Sequence, residues 1–290
     1  MIIIQLSGGL GNQMFQYALY KQLKALGREV KIDDVKGYEE EQKRVPALTA
    51  TFGIEYDRAT RQEVIDITDS KMDIFSRIRR KITGRKTLEY QEKSADFDKN
   101  VLELEDAYLV GYWQSEKYFP DESVRRELRH EFVIKPGDVL SKKESWDVYT
   151  MIKETESVSI HVRRGDYLDP GTIETHGNIC TCDYYKGAID RIIEKYPKAH
   201  FFVFTDDKEW AKTHIFGDRF TNVILDEEKP DSVDMLLMSS CKHHIMANSS
   251  FSWWSMWITE NGKGTIFAPD RWFNNKPMHD IYTDRMQKLG

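Results

Sequence analysis

The sequence predicts an α/β protein of two domains, each organised on a parallel sheet. Three observations carry this expectation. The first is a strand, helix and strand packed into the opening thirty-odd residues. The second is a device used three times in the second half: an apolar strand that ends in polar groups, then a helix. The third is a length of 290 residues, enough for two cores of ordinary size.

Ile2-Ile3-Ile4-Gln5-Leu6 is β-branched and bounded by glycines, which suits a buried strand. Met14, Ala18, Leu19, Leu23 and Leu26 then recur at helical spacing until Gly27 ends the run, and Arg28 to Asp33 forms a second strand. A βαβ unit of this kind places ligands at the carboxyl ends of its strands. From Tyr38 to about Leu104 the pattern is polar and helical. It includes a stripe of Ile74, Phe75, Ile78 and Ile82 beside Arg77, Arg79, Arg80, Lys81, Arg85 and Lys86. Such a basic amphipathic helix suits either a solvated face or peripheral contact with an anionic membrane. Another strand is expected at Ala107 to Gly111, and helices at 121–132 and 138–155. The domain cut is placed near residue 150, giving domains 1–150 and 151–290.

In the second domain Val158, Ile160 and Val162 alternate with Ser159, His161 and Arg163, as on a strand with two distinct faces. Phe201 to Phe204 runs into Thr205-Asp206-Asp207, and His244 to Ala247 into Asn248-Ser249-Ser250-Phe251-Ser252. Arg, Asp and Ser groups delivered to one sheet edge make a binding crevice.

Arg163 and Arg164 offer forked donors suited to a phosphate or pyrophosphate; the competing reading is a structural ion pair with Asp166. Ser249, Ser250 and Ser252 suit either an anion at a helix start or ordinary N-capping. Asp206 and Asp207 suit nucleotide recognition, with magnesium as the alternative. The segment GGLGNQMF departs from the dinucleotide fingerprint, since Met14 replaces its third glycine, although Asp33 stands where a ribose-binding acid would. Asn12-Gln13 has the character of a polar contact for sugar or phosphate. His176, Cys180 and Cys182 lack a clear fourth ligand for zinc, the distant Cys241, His243 and His244 aside.

Composition narrows the function classes. A net charge of −6 and a pI near 5.8 exclude a general nucleic-acid binder, which needs a broad basic surface. Three cysteines are too few for a secreted disulfide framework, so a reduced cytoplasmic setting is expected. The opening apolar run is too short for a signal peptide, and no stretch approaches the roughly 20 apolar residues of a membrane helix.

Taken together, GGLGNQMFQYA, GYWQSEKYF, HVRRGDY, HGNICTCDYY, FFVFTDD and NSSFSWWSMW resemble the bacterial α-1,2-fucosyltransferases of glycosyltransferase family 11. The likeness runs from residue 1 to beyond 270, with the motifs in the family's order. The resemblance implies a GT-B-like fold, with two Rossmann-type domains facing across a cleft. It also implies inverting transfer of fucose from GDP-β-L-fucose to the 2-hydroxyl of a terminal β-galactoside. No metal or other cofactor is implied. The second domain would hold the donor and the first would serve mainly the acceptor, free or lipid-linked, with the enzyme cytoplasmic or peripheral at the inner membrane.

By the same resemblance, Arg163 is the pyrophosphate ligand with Arg164 its helper. His161 and Asp206 are nucleotide contacts, with Asp207 beside them. Ser249, Ser250 and Ser252 form a phosphate-side wall, and Asn12 lies near the reaction centre. The acceptor's proton acceptor is left open among Asp166, Asp169, Glu174 and His176. The rival functions are another nucleotide-sugar-dependent GT-B transferase and a non-catalytic module that binds GDP-sugar or glycan.

Overall fold

The computed structural model describes residues 1–39, 44–222, 230–259 and 262–290. The chain forms two compact units, Met1–Glu131 and Phe132–Gly290.

In the first unit β1 (Ile2–Gln5) leads into α1 (Leu10–Ala25) and β2 (Val30–Asp33). Gly27, at φ 78°, supplies the left-handed residue that ends the helix. Three helices follow: α2 (Leu48–Phe52), α3 (Arg61–Ile67) and α4 (Ile74–Thr83). Then come β3 (Glu89–Gln91), β4 (Ala107–Val110) and α5 (Glu122–Glu131). The four strands are parallel in the order β2-β1-β4-β3. Ile2, Ile3, Ile4, Tyr108 and Leu109 are fully buried at its centre, as strands covered on both faces must be. Strand β3 was not legible in the polar stretch before Leu104, because a three-residue edge strand carries too little periodicity.

The second unit opens with α6 (Pro136–Val139) and α7 (Lys143–Glu154) before β5 (Glu156–Val162). It continues through α8 (Ile173–His176), α9 (Cys182–Lys195), β6 (Ala199–Thr205), α10 (Lys208–His214) and β7 (Phe220–Asn222). The chain finishes with α11 (Asp231–Ser240), β8 (His243–Ile245), α12 (Ser250–Trp257), β9 (Ile266–Pro269) and β10 (Met286–Leu289). The expected cut near residue 150 moves to residue 132. Helices α6 and α7 pack on α11 and α7 feeds β5, so they belong to the later core.

All six strands are parallel, in the order β10-β9-β8-β5-β6-β7. Numbered within the unit and read from β7, this is 3-2-1-4-5-6, the doubly wound dinucleotide-fold order. Both units therefore bear out the α/β, Rossmann-type expectation. The order reverses between β5 and β8, and ligands of such sheets sit beyond the carboxyl ends of the strands at that reversal.

The tryptophans of α12 pack rather than stack on solvent-facing ligands. Trp253 and Trp254 are fully buried, with ring centroids 4.9 Å apart, and Trp253 Nε1 donates to the Ile281 carbonyl at 2.7 Å. This apolar helix packs at the reversal point.

Candidate functional site

Strand β5 ends at Val162, so Arg163 and Arg164 both lie past the last strand residue, free of the alternation that would send them to opposite faces. Arg163 forms ion pairs with Asp166 at 2.8 Å and Asp206 at 3.1 Å. Burial pulls its pKa down, but those two carboxylates outweigh that effect and hold it above the ordinary arginine value. Arg164 pairs with Asp207 at 3.1 Å, lies 4.5 Å from the Trp210 ring centre, and donates its backbone N–H to Asp206 at 2.8 Å.

The ion pair with Asp166 thus exists, and it coexists with Asp206 on the same guanidinium. A guanidinium has five N–H donors in a fixed fork, so two carboxylates orient Arg163 without exhausting it. Two arginines face three carboxylates here, and any selectivity for an anion must come from directed donors rather than a bare positive field. Asp207 also caps α10, accepting from the Trp210 N–H at 3.0 Å, which gives it a bracing role beside Arg164.

His161 is buried, and its Nδ1 has no hydrogen-bond partner among the described residues. Burial, and then the charge of Arg163, push its pKa down to about 3, so the ring is neutral near pH 7. An unsatisfied buried acceptor or donor costs about 1–3 kcal/mol, which a ligand group at the strand end would recover. The ring lies 5.9 Å from that of Phe251 on α12, joining the ends of β5 and β8.

The serine run divides by role. Ser249 caps α12, accepting from the Phe251 N–H at 3.3 Å. Ser250 is half-buried in the first turn. Ser252 is turned inward at 1% exposure, donating to the carbonyls of Ala247 at 3.0 Å and Ser249 at 3.1 Å. The phosphate-wall expectation is therefore corrected for Ser252, whose hydroxyl closes the turn, and in the first turn of α12 the Phe251 N–H is taken by Ser249 Oγ.

Two corrections concern the first unit. Gln13 is completely buried, donating to the Gly8 carbonyl at 2.9 Å and the Val45 carbonyl at 3.0 Å while accepting from Ala47 at 2.7 Å. It ties loops together instead of meeting a sugar. Asp33 accepts from Val35, Lys36 and the Tyr108 hydroxyl (2.7 Å), so it organises the end of β2 rather than facing a ribose. Asn12 accepts from the Gln114 amide at 2.7 Å, and Gly8, at φ 75°, lets the loop pass where a Cβ would come within 2.6 Å of the Asn12 amide nitrogen.

Of the proton-acceptor candidates, Asp166 is held by Arg163, while Asp169 and Glu174 are exposed. His176 is stacked on Tyr167 with centroids 4.8 Å apart and meets the edge of Phe273 at 5.0 Å. Its buried Nδ1 has no hydrogen-bond partner among the described residues, and burial pushes its pKa down. A neutral imidazole can accept a proton, so His176 has the chemistry the role needs.

Several site-building residues were not singled out from the sequence. Asn248 donates to the carbonyls of His176 and Trp272, both at 3.2 Å, and its own carbonyl accepts from Tyr167 at 3.1 Å. Tyr184 donates to Met246 at 2.6 Å and Tyr185 to His161 at 2.9 Å, so the paired tyrosines of HGNICTCDYY clamp the ends of β8 and β5. Adjacent tyrosines at the start of a helix were the available signal. The zinc reading dissolves into ordinary contacts: Cys180 and Cys241 are buried, Cys182 is exposed, and His244 bridges Ser159 and Thr259 at 2.8 and 2.9 Å. Among the described residues no group of three or more His, Cys, Asp or Glu is arranged to hold a metal ion.

Burial pushes His244, like His161, down to about 3. Unfolded histidine titrates near 6.5, so below that pH the unfolded chain binds protons that the native chain refuses, and stability falls as pH falls. Unfolding free energies from urea titrations between pH 7 and pH 4.5 should drop with a slope approaching about 1.4 kcal/mol per pH unit for each of the two residues. A flat profile over that window would show that both rings protonate inside the fold.

Two Rossmann-type units in one chain, the second carrying a guanidinium pair and a helix start at its reversal point, define a two-unit α/β protein of the nucleotide-binding class of folds. The chain belongs to glycosyl transferase family 11, whose model matches residues 85–287. An α-1,2-colitosyltransferase of Escherichia coli is 34% identical, covering 97% of this chain and 95% of the relative. A mouse galactoside 2-α-L-fucosyltransferase is 26% identical, covering 43% of this chain and 34% of the relative. Among solved structures, the fucosyltransferase NodZ from Bradyrhizobium is 14% identical with a TM-score of 0.47, covering 88% of this chain and 91% of that one.

Proposed function

We propose that this glycosyltransferase transfers L-fucose from GDP-β-L-fucose to the 2-hydroxyl of a terminal β-galactoside, with inversion to an α-1,2 linkage. The observation that carries the reading is the reversal point between β5 and β8. There the oriented Arg163, the buried His161 Nδ1, unpartnered among the described residues, and the first turn of α12 come from adjacent strand ends.

Displacement at the anomeric carbon breaks the bond to GDP oxygen and forms one to the acceptor oxygen. Positive charge develops on the sugar and negative charge on the departing diphosphate. Arg163, seconded by Arg164 and the α12 N–H groups, is assigned to that diphosphate, where preorganised donors act most strongly in the transition state. Asp206 orients Arg163 and, with His161, is assigned to the nucleotide. Asn12 is assigned to the acceptor side, and His176 to receiving the acceptor proton, ahead of the ion-paired Asp166. The guanidiniums and helix start supply the stabilisation a divalent ion would otherwise give, so turnover without metal is part of the proposal. A cytoplasmic setting accords with the nucleotide-sugar donor. Among the described residues no helix is long and apolar enough to cross a membrane.

A second reading keeps the linkage and changes the donor to nucleotide-linked colitose; the full-length relative named for that sugar favours it. Colitose is fucose without the 3-hydroxyl. A site that hydrogen-bonds that hydroxyl would reject colitose by about 10⁴-fold or more, whereas an apolar pocket would separate the two sugars by only about 100-fold. The test incubates the purified protein with each donor and a panel of β-galactosides, with and without EDTA, and maps the linkage by NMR. An EDTA-resistant α-1,2-fucosyl product is expected. An exclusively colitosyl product moves the assignment to the second reading, and GDP-sugar binding without turnover on any acceptor would sink both.

A further inference from the structure

The helix α4 presents an apolar stripe with nothing packed over it among the described residues. Ile74 is 71% exposed, Phe75 85%, Ile78 50% and Ile82 77%, with Met72 at 76% just ahead of the helix. At 100° per residue the four helix positions fall within one face of about 100°. Arg77 and Lys81, both exposed, border one side of that face, and the exposed Arg85 and Lys86 follow the helix. Between Lys71 and Lys86 there are seven basic residues and one acidic residue, on a chain whose net charge is −6.

The back of the helix is what anchors it. Asp69 pairs with Arg79 and, at 3.8 Å, with Arg80; its backbone carbonyl accepts from Arg80 at 3.1 Å and its carboxylate from the Lys86 N–H at 2.8 Å. Arg85 Nε donates to the Thr68 carbonyl at 3.0 Å, and Asp73 caps the first turn through the Ser76 N–H at 3.0 Å. The polar side is thereby tied to the body of the first unit, which holds the apolar stripe outward.

We propose that α4 docks this enzyme onto an anionic lipid bilayer, lying in the interface plane with Ile74, Phe75, Ile78 and Ile82 among the upper acyl chains and Arg77, Lys81 and Lys86 at the headgroups. Charge complementarity decides the occupant. A second copy would bring the same cations face to face, and a stripe of four side chains is far short of the roughly 800 Å² per partner that a stable dimer buries. A bilayer bearing anionic headgroups satisfies the cations and the apolar side chains together. The proposal is independent of which sugar the enzyme transfers, and its test reads no transfer activity.

The test is co-sedimentation of the full chain with phosphatidylcholine vesicles that contain or lack phosphatidylglycerol. Binding to the anionic vesicles is expected, weakened by raised salt. Arg77→Glu/Lys81→Glu should lower partitioning at least about twenty-five-fold, at about fivefold for each basic residue removed from the surface. Phe75→Ser/Ile78→Ser, which leaves the charge unchanged, should lower it more than about tenfold. Circular dichroism melting checks that both variants fold. If the serine pair unfolds, the charge-reversed pair decides alone, because its side chains are exposed on the native surface. Failure of the parent chain to bind anionic vesicles, or equal binding by parent and variants, overturns the proposal. So does a concentration-dependent dimer that the serine pair abolishes, which would assign the stripe to a second copy.

Discussion

Arg163→Ala is expected to lower transfer at least about a hundredfold, the loss typical of removing one preorganised donor from developing negative charge. The fall should lie mainly in kcat, since diphosphate charge is greatest in the transition state. The substitution also releases Asp166 and Asp206, which now share that guanidinium at 2.8 and 3.1 Å. The two carboxylates are only partly exposed and Asp166 Oδ1, the oxygen facing the guanidinium, is buried, so the substitution should also lower the melting temperature. Arg163→Lys is the informative companion. It keeps the charge but cannot hold two carboxylates and an anion on one planar fork, and it should recover only part of the rate. Steady-state kinetics with a soluble galactoside, run beside thermal melts, separate these effects. Near-normal turnover in Arg163→Ala would remove Arg163 from the donor site.

Gly264→Ala is expected to produce the largest loss of stability. An added Cβ would stand 1.8 Å from the Lys242 carbonyl oxygen and 2.9 Å from its carbon, inside any permissible contact with backbone. The chain there cannot simply step aside. His244 donates to Thr265 at 3.1 Å, Thr265 donates to His243 Nδ1 at 2.9 Å, and Lys242 donates to Ser157 at 3.1 Å. Relief of the overlap must therefore shift the entry to β9 against β8. Overpacking of this kind costs about 3 kcal/mol, or roughly 10 °C in the melting temperature of a unit this size. Gly262→Ala is the control, because at φ 50° its Cβ meets nothing within 4 Å and only backbone strain is added. Equal melting temperatures for the Gly264→Ala variant and the parent would show that the close approach does not persist in solution.

Legibility followed local signal. Strands β1, β2, β4, β5, β6 and β8 were readable because β-branched and aromatic residues alternate or run together between turn residues. Strands β3 and β7 have three residues each, too few to show a period, and β9 and β10 follow one another without an intervening helix. Helix α7 was readable within the expected 138–155 helix but not as a member of the second unit, since its allegiance is a matter of packing against α11, and the four-residue α6 was not read as a helix of its own. At the site, Arg163, Asp206 and Ser249 announce themselves as polar groups where apolar runs stop. The clamping by Tyr184, Tyr185 and Asn248 does not, because each reaches a partner tens of residues away.

The sequence by itself determined the α/β class, the polar strand ends and the family, because periodicity and motif order are local properties that survive without coordinates. Tertiary structure decided that β5 and β8, separated by some eighty residues, lie side by side, which brings two motifs to one sheet edge. It also decided which polar atoms are already occupied. Gln13 and Ser252 satisfy buried backbone carbonyls and Asp33 accepts from the buried Tyr108 hydroxyl, whereas His161 Nδ1 has no partner among the described residues. The physical reason is that a hydrogen bond consumes a donor and an acceptor together, and a sequence names the groups without pairing them.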